Sequence, residues 1–377
     1  MRVVLFANTD WYLYNFRLPL AQSLRARGED VVLVSPSGAY GEKLRALGFT
    51  WYAFDFARKG TNPVAELRTL NKLTDLYRMI APDLAHHFTI KCVLYGGIAA
   101  ARLGIPTVSA VTGMGHVFTT NTIKTAVLRP ALTLAYRYAL RKSQVIFQNP
   151  DDLKEFQRRR LVATAATHLI RGSGVNTSRF VPLANALPPP VTVLMVGRLL
   201  REKGVVELVE AARLLKSTHP SLRIQIAGSA DEGNPSSFSE TEVSRWASEG
   251  AVEFLGHRDD VQLLLGAAHI AALPSYREGT PRSLLEAAAC GLPIIATNVP
   301  GCREICRDGD NGILVPAKDS SALAAAIATL ADDPALRAKM GKRSREIAEH
   351  EFSEEKVIRE TLAIYAAALA TAPVSSA

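Results

Sequence analysis

The chain has 377 residues with 48% hydrophobic and 21% charged side chains, a composition typical of globular proteins. This length favours two domains over one, because a single hydrophobic core rarely grows so large. No apolar stretch has the length of a membrane span, and the first apolar run, residues 3–7, is too short for a signal peptide. The four cysteines show neither a disulfide-framework pattern nor a zinc-binding spacing, which favours reduced thiols.

Charge is distributed unequally along the chain. Residues 1–185 contain 24 Lys and Arg against 11 Asp and Glu, a net charge of +13, whereas the remainder carries −5 within the total of +8. A strongly basic half indicates an anionic partner. A nucleic-acid-binding module would also explain the charge, but no recognition motif is apparent, and we expect no nucleic acid.

Strands and helices are predicted to alternate through the first half. The predicted strands are residues 2–7, 30–35, 50–54, 83–87, 107–111 and 144–148, and the helices between them include 16–27, 63–80 and 93–103. This alternation predicts a parallel, doubly wound sheet.

The stretch 183–190 contains three consecutive prolines and interrupts this order, and a second strand–helix series begins directly after it. We therefore predict a first domain at 1–185, a second at 186–353, and a C-terminal helix with a tail at 354–377.

Two segments of the first half are open to two interpretations. The aromatic stretch 11–17 either packs the first helix or offers a stacking surface to a sugar or a lipid. The stretch 121–142 combines apolar residues with five Lys and Arg side chains. It is predicted either as a basic helix on a membrane surface or as an ordinary cover on the sheet with extended Arg side chains.

The first candidate binding loop follows the predicted strand 192–196. Gly197 allows backbone to approach a ligand closely, and Arg198 and Lys203 place a fork-shaped and a point-like cation on the loop that ends at Gly204. Such a pair suits a diphosphate. The loop leaves the carboxyl end of a strand, where open α/β sheets bind their ligands.

The second candidate loop contains two carboxylates, Glu278 and Glu286, and follows a predicted strand that ends at Pro274. Pro281 suits the first turn of a helix, and a helix N-terminus binds phosphate through its unsatisfied N–H groups. The carboxylates beside it suit sugar hydroxyls, although a first-turn Glu also simply complements the helix dipole.

These two motifs, with the segments 256–261, 273–279, 300–304 and 311–312 in the same order, resemble the donor-binding half of the family-4 retaining glycosyltransferases. The resemblance implies the GT-B fold, an α/β architecture. It consists of two doubly wound Rossmann-like domains with a cleft between them and a C-terminal helix that crosses back to the first domain.

The resemblance also implies a donor site. Arg198 and Lys203 would hold the diphosphate of a nucleotide sugar, Glu286 the ribose hydroxyls, and Glu278 the transferred sugar, while residues 256–258 would line the nucleobase pocket. The donor-binding residues implied in this way are Gly197, Arg198, Lys203, Gly256, His257, Arg258, Glu278, Gly279, Thr280, Pro281, Ser283, Leu284 and Glu286.

The first half departs from the family pattern at two places. The loop after the first strand lacks the usual Gly-Gly pair, so its polar side chains would instead orient acceptor hydroxyls. Thr112 stands where many members have a histidine that contacts the donor sugar, and His116 or His87 would substitute for it as a catalytic residue beside Glu278. The predicted acceptor-binding residues are Asn8, Asp10, Thr89, Lys91, Thr112, Gly113 and Gly115.

The segments 88–91 and 112–115 resemble a subset of bacterial enzymes that extend polyprenyl-diphosphate-linked glycans with N-acetylhexosamine. The expected activity is therefore retaining, metal-independent transfer of an N-acetylhexosamine from a UDP-linked donor to such an acceptor. We expect no cofactor, because the nucleotide sugar is a substrate. The expected location is the cytoplasm, peripheral to the inner membrane at its cytoplasmic face, on an anionic membrane surface.

Three alternatives remain. A sugar-nucleotide 2-epimerase shares the fold, and a hexosyl or mannosyl transferase would use GDP-mannose on a soluble acceptor. An NAD-dependent dehydrogenase would need Gly-x-Gly-x-x-Gly after the first strand, where residues 7–10 lack it. The Asp-x-Asp sequence at 308–310 is predicted to be a turn rather than a metal site, because its dipeptides have turn chemistry.

Overall fold

The computed structural model describes residues 1–56, 63–111, 123–183, 188–231 and 233–370. The chain divides into two compact units. The first comprises Met1–Ser173 together with the chain from Val357 onwards, and the second comprises Gly174–Lys356.

The first unit contains a seven-stranded sheet in the order β3-β2-β1-β4-β5-β6-β7. Neighbouring strands are all parallel. The strands are β1 (Arg2–Phe6), β2 (Asp30–Ser35), β3 (Thr50–Ala53), β4 (Leu84–Phe88), β5 (Thr107–Val111), β6 (Ser143–Phe147) and β7 (Thr167–Leu169). The predicted doubly wound parallel sheet is therefore confirmed.

Helices cover both faces of this sheet, because side chains alternate between the faces along each strand. Val3 and Leu5 of β1 pack in one core cluster, whereas Val4 and Phe6 pack in another on the opposite face. The helices of this unit are α1 (Asp10–Tyr12), α2 (Leu18–Ala26), α3 (Gly41–Ala46), α4 (Pro63–Ile80), α5 (Ile90–Leu103), α6 (Ile123–Leu140) and α7 (Pro150–Arg158). A π-helical turn, Leu13–Arg17, joins α1 to α2.

The second unit contains a six-stranded sheet in the order β10-β9-β8-β11-β12-β13, again with parallel neighbours. Its strands are β8 (Thr192–Val196), β9 (Arg223–Ala227), β10 (Glu253–Gly256), β11 (Ile270–Leu273), β12 (Ile294–Thr297) and β13 (Gly312–Val315). The helices are α8 (Val205–Leu215), α9 (Glu240–Ser248), α10 (Val261–Gly266), α11 (Arg282–Ala289), α12 (Cys302–Ile305), α13 (Ser320–Asp332) and α14 (Pro334–Glu351). In the described part of the chain, no helix combines the length and the apolar character needed to cross a membrane.

The last helix, α15 (Glu354–Ala370), places Val357, Ile364 and Tyr365 in a core cluster of the first unit. The C-terminal helix thus returns to the first unit, as the resemblance implied. Its apolar positions recur at helical spacing, which makes this the buried stripe of an amphipathic helix.

The division between the units lies at Ser173–Gly174, whereas the sequence indicated a boundary after residue 185. The physical reason is that the backbone of Val175 bonds to the second unit. Its N–H donates to the carbonyl of Phe352 at 2.8 Å, and its carbonyl accepts from the N–H of Glu354 at 3.1 Å. The Pro-rich stretch marks a change in composition, and these contacts lie upstream of it.

Arg345 of α14 strengthens this attachment. Its guanidinium donates to the backbone carbonyls of Phe180, Ala289 and Thr177 at 2.7, 2.6 and 3.0 Å. One side chain therefore joins the segment after Gly174 to the end of α11.

We predict that Arg345→Leu lowers the free energy of unfolding by about 2–3 kcal/mol, because it removes charge-assisted hydrogen bonds. The control is Arg343→Leu on the same helix, because Arg343 pairs with Asp310 and Glu346 at the surface, where its side chain is 39% exposed. Such exposed pairs contribute at most about 1 kcal/mol. Urea unfolding of both variants measures the difference, and equal losses would show that Arg345 has no special role.

Candidate active site

Two loops of the second unit meet at the point where the order of its sheet reverses. β8 and β11 are neighbours, but the chain between them goes out to β9 and β10. The loops that leave the carboxyl ends of β8 and β11 therefore lie side by side, with their following helices directed to different faces. This is the position at which open parallel sheets bind ligands.

An ion pair joins the two loops. Lys203 Nζ lies 2.5 Å from Glu278 Oε1, and the hydroxyl of Ser275 donates to the same oxygen at 2.7 Å. The side chains of Lys203 and Glu278 are only 20% and 11% exposed. Two residues that the sequence predicted for one site are thus brought into contact across 75 positions of the chain.

Glycine is required where the loops approach each other. Gly204 has φ +74°, and a Cβ atom at this residue would lie 2.1 Å from the carbonyl oxygen of Pro274. A backbone hydrogen bond of 2.8 Å from Tyr276 to the carbonyl of Glu202 links the same two loops. The close packing of the loops places the ammonium of Lys203 on the carboxylate of Glu278.

A further contact, between the second loop and α8, was not predicted from the sequence. The hydroxyl of Tyr276 donates to Glu207 Oε1 at 2.6 Å, and Glu207 is buried in α8. Burial, and then this hydrogen bond, raise the pKa of Tyr276 to about 12. A Glu within the apolar run of a helix was the only signal in the sequence, and it gave no indication of its partner.

Arg198 pairs with a carboxylate of a different loop. Its guanidinium is exposed and lies 2.5 Å from Asp231 Oδ2, in the loop after β9. Asn234 donates to the same oxygen at 3.0 Å. A diphosphate would have to replace Asp231 as the partner of Arg198, and no pattern in the sequence singled out Asp231.

The helix α11 begins at the second loop. Its N-cap is Pro281, which has extended backbone and no side-chain cap, so the first N–H groups of the helix remain available to an anion. The hydroxyl of Thr280 is buried and has no hydrogen-bond partner among the described residues. Gly301, at φ +83°, packs its backbone on this loop, since a Cβ there would lie 2.3 Å from the carbonyl oxygen of Gly279.

Glu286 lies in the second turn of α11 and is mostly buried. Arg282 Nε donates to its Oε1 at 2.8 Å, and the carboxylate is 12% exposed. Burial raises the pKa of Glu286, and the charge of Arg282 partly offsets this. Ser283 and Leu284 occupy the first turn of the same helix.

The predicted nucleobase segment follows the carboxyl end of the edge strand β10. Gly256 has φ +67°, and its carbonyl accepts from the N–H of Gly228 at 2.8 Å. The side chain of His257 is 72% exposed, and Arg258 pairs with Asp260 at 2.6 Å. These residues lie at the same edge of the sheet as the loops after β8 and β11.

The turn predicted at 308–310 is confirmed. The N–H of Asp310 bonds to the carbonyl of Arg307, the N–H of Gly309 bonds to that of Gly312, and Asp310 pairs with Arg343. Within the described ranges, no group of three or more His, Cys, Asp or Glu side chains is arranged to hold a metal ion.

His87 does not occupy a substrate-facing position in the structure. It is fully buried between the sheet and α4, where its Nε2 lies 3.1 Å from the hydroxyl of Tyr77. A Cβ on Gly96 would lie 2.4 Å from its ring. Burial lowers the pKa of His87 to about 3. Its position is that of a core histidine and gives no support to the catalytic role predicted for it.

The other described acceptor candidates are Asn8, Asp10, Thr89 and Lys91. Asn8 is partly exposed just after β1, and Thr89 follows β4. Lys91 pairs with Glu66 at 3.2 Å. Asp10 is buried, and its carboxylate accepts backbone N–H groups of Trp11, Tyr40 and Gly41 at 2.8, 2.7 and 2.9 Å.

This geometry gives Asp10 a structural role in holding the loop before α3.

Thr112, Gly113, Gly115 and His116 lie outside the described residues.

Solved structures place this chain in a fold class. Sucrose-phosphate synthase from Thermosynechococcus elongatus superposes with a TM-score of 0.77 at 23% identity, covering 98% of this chain and 99% of that one. Anabaena HepE in complex with UDP and glucose superposes with a TM-score of 0.78 at 20% identity, covering 97% and 99%. Both likenesses, with the two doubly wound sheets, show the GT-B fold.

Family comparisons agree with this fold. The family described as "Glycosyl transferase 4-like" matches residues 2–149, and "Glycosyl transferases group 1" matches residues 184–347. The chain therefore belongs to the family-4-like GT-B glycosyltransferases. The N,N'-diacetylbacillosaminyl-diphospho-undecaprenol alpha-1,3-N-acetylgalactosaminyltransferase of Campylobacter jejuni is 29% identical, over 97% of this chain and 98% of that protein.

The close approach of the two loops generates a prediction at Gly204. Gly204→Ala is expected to destabilise the second unit by more than the roughly 1–2 kcal/mol that a side chain costs at positive φ. Gly309→Ala is the matched control, because Gly309 has φ +73° and a Cβ atom added there would meet nothing within 4 Å. Thermal unfolding of both variants gives the comparison, and equal losses would show that the loops tolerate separation.

Proposed function

We propose that this protein is a retaining, metal-independent glycosyltransferase that moves an N-acetylhexosamine from a UDP-linked donor to a polyprenyl-diphosphate-linked glycan. The observation that carries the proposal is the contact between Lys203 and Glu278 beside the N-terminus of α11. This arrangement offers positive charge to a diphosphate and a fixed carboxylate to the sugar attached to it.

The charges on this site match the charge that develops in the reaction. The bond between the anomeric carbon and the donor phosphate breaks, and its electron pair leaves with the diphosphate. Lys203, Arg198 and the N–H groups of α11 would stabilise the departing charge, which is the role a metal ion has in other enzymes. Arg198 would first have to give up its ion pair with Asp231 in order to contact the diphosphate.

Glu278 is suited to positioning rather than to nucleophilic attack. Its Oε1 accepts hydrogen bonds from Lys203 and Ser275, which fix the carboxylate and occupy this oxygen. The acceptor hydroxyl would form the new bond on the face from which the diphosphate leaves. Its proton would pass to the departing phosphate oxygen, so that atoms and charge balance without an enzyme-bound sugar.

Glu286 is assigned to the ribose hydroxyls. It lies one turn beyond Arg282, in the helix whose N-terminus would face the diphosphate. A mostly buried carboxylate accepts hydrogen bonds strongly in its charged form, because little water competes for it. The pairing with Arg282 supports that charged form against the effect of burial.

The names of similar proteins support the choice of donor and acceptor. The Campylobacter jejuni relative is named for N-acetylgalactosamine transfer to a diphospho-undecaprenol-linked sugar. The Anabaena HepE structure contains UDP and glucose. Lipopolysaccharide and colanic acid glycosyltransferases are also among the similar proteins, which supports a role in surface polysaccharide assembly.

We further propose a peripheral location on an anionic membrane, at the cytoplasmic face of the inner membrane, and the surface at the end of α6 supports the membrane contact. Leu134 and Tyr138 lie one turn apart and are 65% and 39% exposed. Arg141 packs over the ring of Tyr138 at 4.2 Å, and Lys142 beside it is exposed. Exposed apolar side chains near the end of a helix, with basic side chains directly after it, are typical of a membrane-surface element.

The direct test is a transfer assay. The purified protein is incubated with UDP-, GDP- and ADP-sugars and a short-chain polyprenyl-diphosphate sugar, and products are detected by mass. We expect addition of one N-acetylhexosamine from the UDP donor, with full activity in excess EDTA. The product's anomeric configuration, read by NMR, should equal that of the donor. Sugar interconversion without acceptor would instead identify a 2-epimerase.

Lys203→Ala and Arg198→Ala should each lower turnover by roughly a hundredfold or more, because each removes a preorganised charge from the leaving group. The control is Arg258→Ala. Arg258 lies at the same edge of the sheet, but it is assigned to the nucleobase rather than to the diphosphate. It should mainly raise the KM for the donor. Wild-type turnover in the Lys203 variant would remove this loop from the donor site.

The membrane proposal predicts sedimentation with vesicles that contain anionic lipid, and much less with neutral ones. Each basic side chain near the surface contributes about 1 kcal/mol, so reversing Arg141, Lys142 and Arg160 to Glu should abolish sedimentation. Arg137 is retained, because it bonds to the carbonyls of Arg159 and Arg160.

The control for this prediction reverses three exposed basic residues on the opposite face of the sheet, Arg27, Lys43 and Arg359. It changes the net charge equally and should leave sedimentation unchanged. Loss of binding in both triple variants, or binding that does not fall as salt rises, would contradict a specific role for α6.

A further inference from the structure

The first unit contains a buried cation, Arg17, for which the described residues supply no anionic partner. Arg17 is 6% exposed and ends the π-helical turn Leu13–Arg17. One of its terminal nitrogens donates to the hydroxyl of Tyr12 at 2.8 Å, and its guanidinium packs over the ring of Phe88 at 4.3 Å. Its Nε is buried without a hydrogen-bond partner, and no carboxylate among the described residues pairs with it.

Such a residue is costly to keep. A buried charge is normally paired with an opposite charge or with a full set of hydrogen bonds. The hydroxyl of Tyr12 and two aromatic faces compensate the charge of Arg17 only in part, because none of them accepts a hydrogen bond from the N–H of Nε. The π-helical turn that presents Arg17 is itself an irregularity that occurs frequently at functional sites.

His86 contributes a second unsatisfied group beside the same ring. Its ring centroid lies 4.0 Å from that of Phe88, and its Nδ1 lies 2.7 Å from the hydroxyl of Tyr365. Burial lowers the pKa of His86 well below its usual value, so the ring is neutral. When Tyr365 donates to Nδ1, Nε2 carries the proton, and this buried nitrogen has no partner among the described residues.

Thr89 contributes a third unsatisfied polar group. It directly precedes α5 and has φ +71°, a conformation that costs free energy in a β-branched residue. Its hydroxyl does not cap α5 and makes no hydrogen bond of standard geometry, although it lies near the thiol of Cys92. The first N–H groups of this 14-residue helix therefore have no side-chain cap.

The three residues, which we call the Arg17 cluster (Arg17, His86 and Thr89), lie next to Phe88 at the carboxyl end of β4: Arg17 and His86 contact its ring, and Thr89 follows it in the chain. β4 lies beside β1, where the strand order of the first sheet reverses. We propose that the Arg17 cluster binds an oxyanion, a phosphate or diphosphate group, in the first unit. The oxyanion would accept hydrogen bonds from the guanidinium of Arg17 and from the N–H groups at the N-terminus of α5. Its negative charge would pair with the positive charge of Arg17.

Two sources could supply this oxyanion, and they share one chemistry. One is the diphosphate of a lipid-linked acceptor, an assignment that rests on the proposed function. The other is free inorganic phosphate or pyrophosphate. Binding to the Arg17 cluster itself is independent of which source is correct.

The first experiment measures binding of methylene diphosphonate by titration calorimetry. It uses the full chain in an Arg198→Ala, Lys203→Ala background, so that the proposed donor site does not contribute. Adding Arg17→Gln should weaken binding by about tenfold or more, the loss expected for a charge-assisted hydrogen bond. Adding Arg25→Gln should change nothing, because Arg25 also packs over an aromatic ring, Phe49 at 4.3 Å, but is exposed.

A stability measurement separates this proposal from a purely structural role. In phosphate-free buffer, Arg17→Met should melt at the wild-type temperature or above it, because an unpaired buried charge is replaced by an apolar side chain of similar length. Methylene diphosphonate should raise the melting temperature of the wild type and leave that of the variant unchanged. A lower melting temperature for Arg17→Met, with undiminished diphosphonate binding, would overturn the proposal.

A third experiment identifies which molecule supplies the oxyanion. If the acceptor supplies the oxyanion, methylene diphosphonate should compete with the acceptor in the transfer assay, and Arg17→Lys should raise the acceptor KM by about tenfold while largely sparing that of the donor. Non-competitive inhibition would assign the site to free phosphate. Should no sugar be transferred at all, the proposed function would fail, while the calorimetric result would still decide whether the Arg17 cluster binds an oxyanion.

Discussion

The contact between Lys203 and Glu278 is the interaction on which the candidate donor site depends. An ammonium and a carboxylate that are both mostly withdrawn from water stabilise each other only when their geometry is held. The structure holds them through Gly204, which lets the two loops touch, through Ser275 on the carboxylate, and through the Tyr276–Glu207 hydrogen bond. A nucleotide sugar would exchange this pair for contacts of its own, diphosphate to Lys203 and sugar to Glu278.

The same topological constraint acts in both units. In a parallel sheet, loops that leave neighbouring strands toward different faces open a crevice at the carboxyl edge. The second unit fills this position between β8 and β11 with Lys203 and Glu278, and the first unit places Arg17 and Thr89 beside β1 and β4. Uncapped helix N-termini, those of α11 and α5, accompany the charge in each case. Both positions therefore suit anionic groups for one electrostatic reason.

Sequence predicted the sheets and the two loops after β8 and β11 because these signals are local: a buried strand, a loop with Gly and charge, and a helical pattern follow one another directly. It did not give Asp231 as the partner of Arg198 or Glu207 as that of Tyr276, since those pairs form only when distant strands assemble. His87 was singled out by its place at a strand end, yet strand side chains alternate and this one faces the α4 layer. Arg17 was noted only as part of an aromatic stretch, because burial of a charge is not visible in a pattern.

A double-mutant cycle on Lys203 and Glu278 distinguishes a donor-binding pair from a structural one, with unfolding free energy and transfer activity measured on the same proteins. Lys203→Met should destabilise the protein by leaving Glu278 unpaired, and adding Glu278→Gln should restore part of that loss, a coupling of about 1–3 kcal/mol. We predict that activity is not restored with stability, because the proposed function assigns both side chains to the donor. If the double variant regained activity together with stability, the pair would be structural and the donor would bind elsewhere.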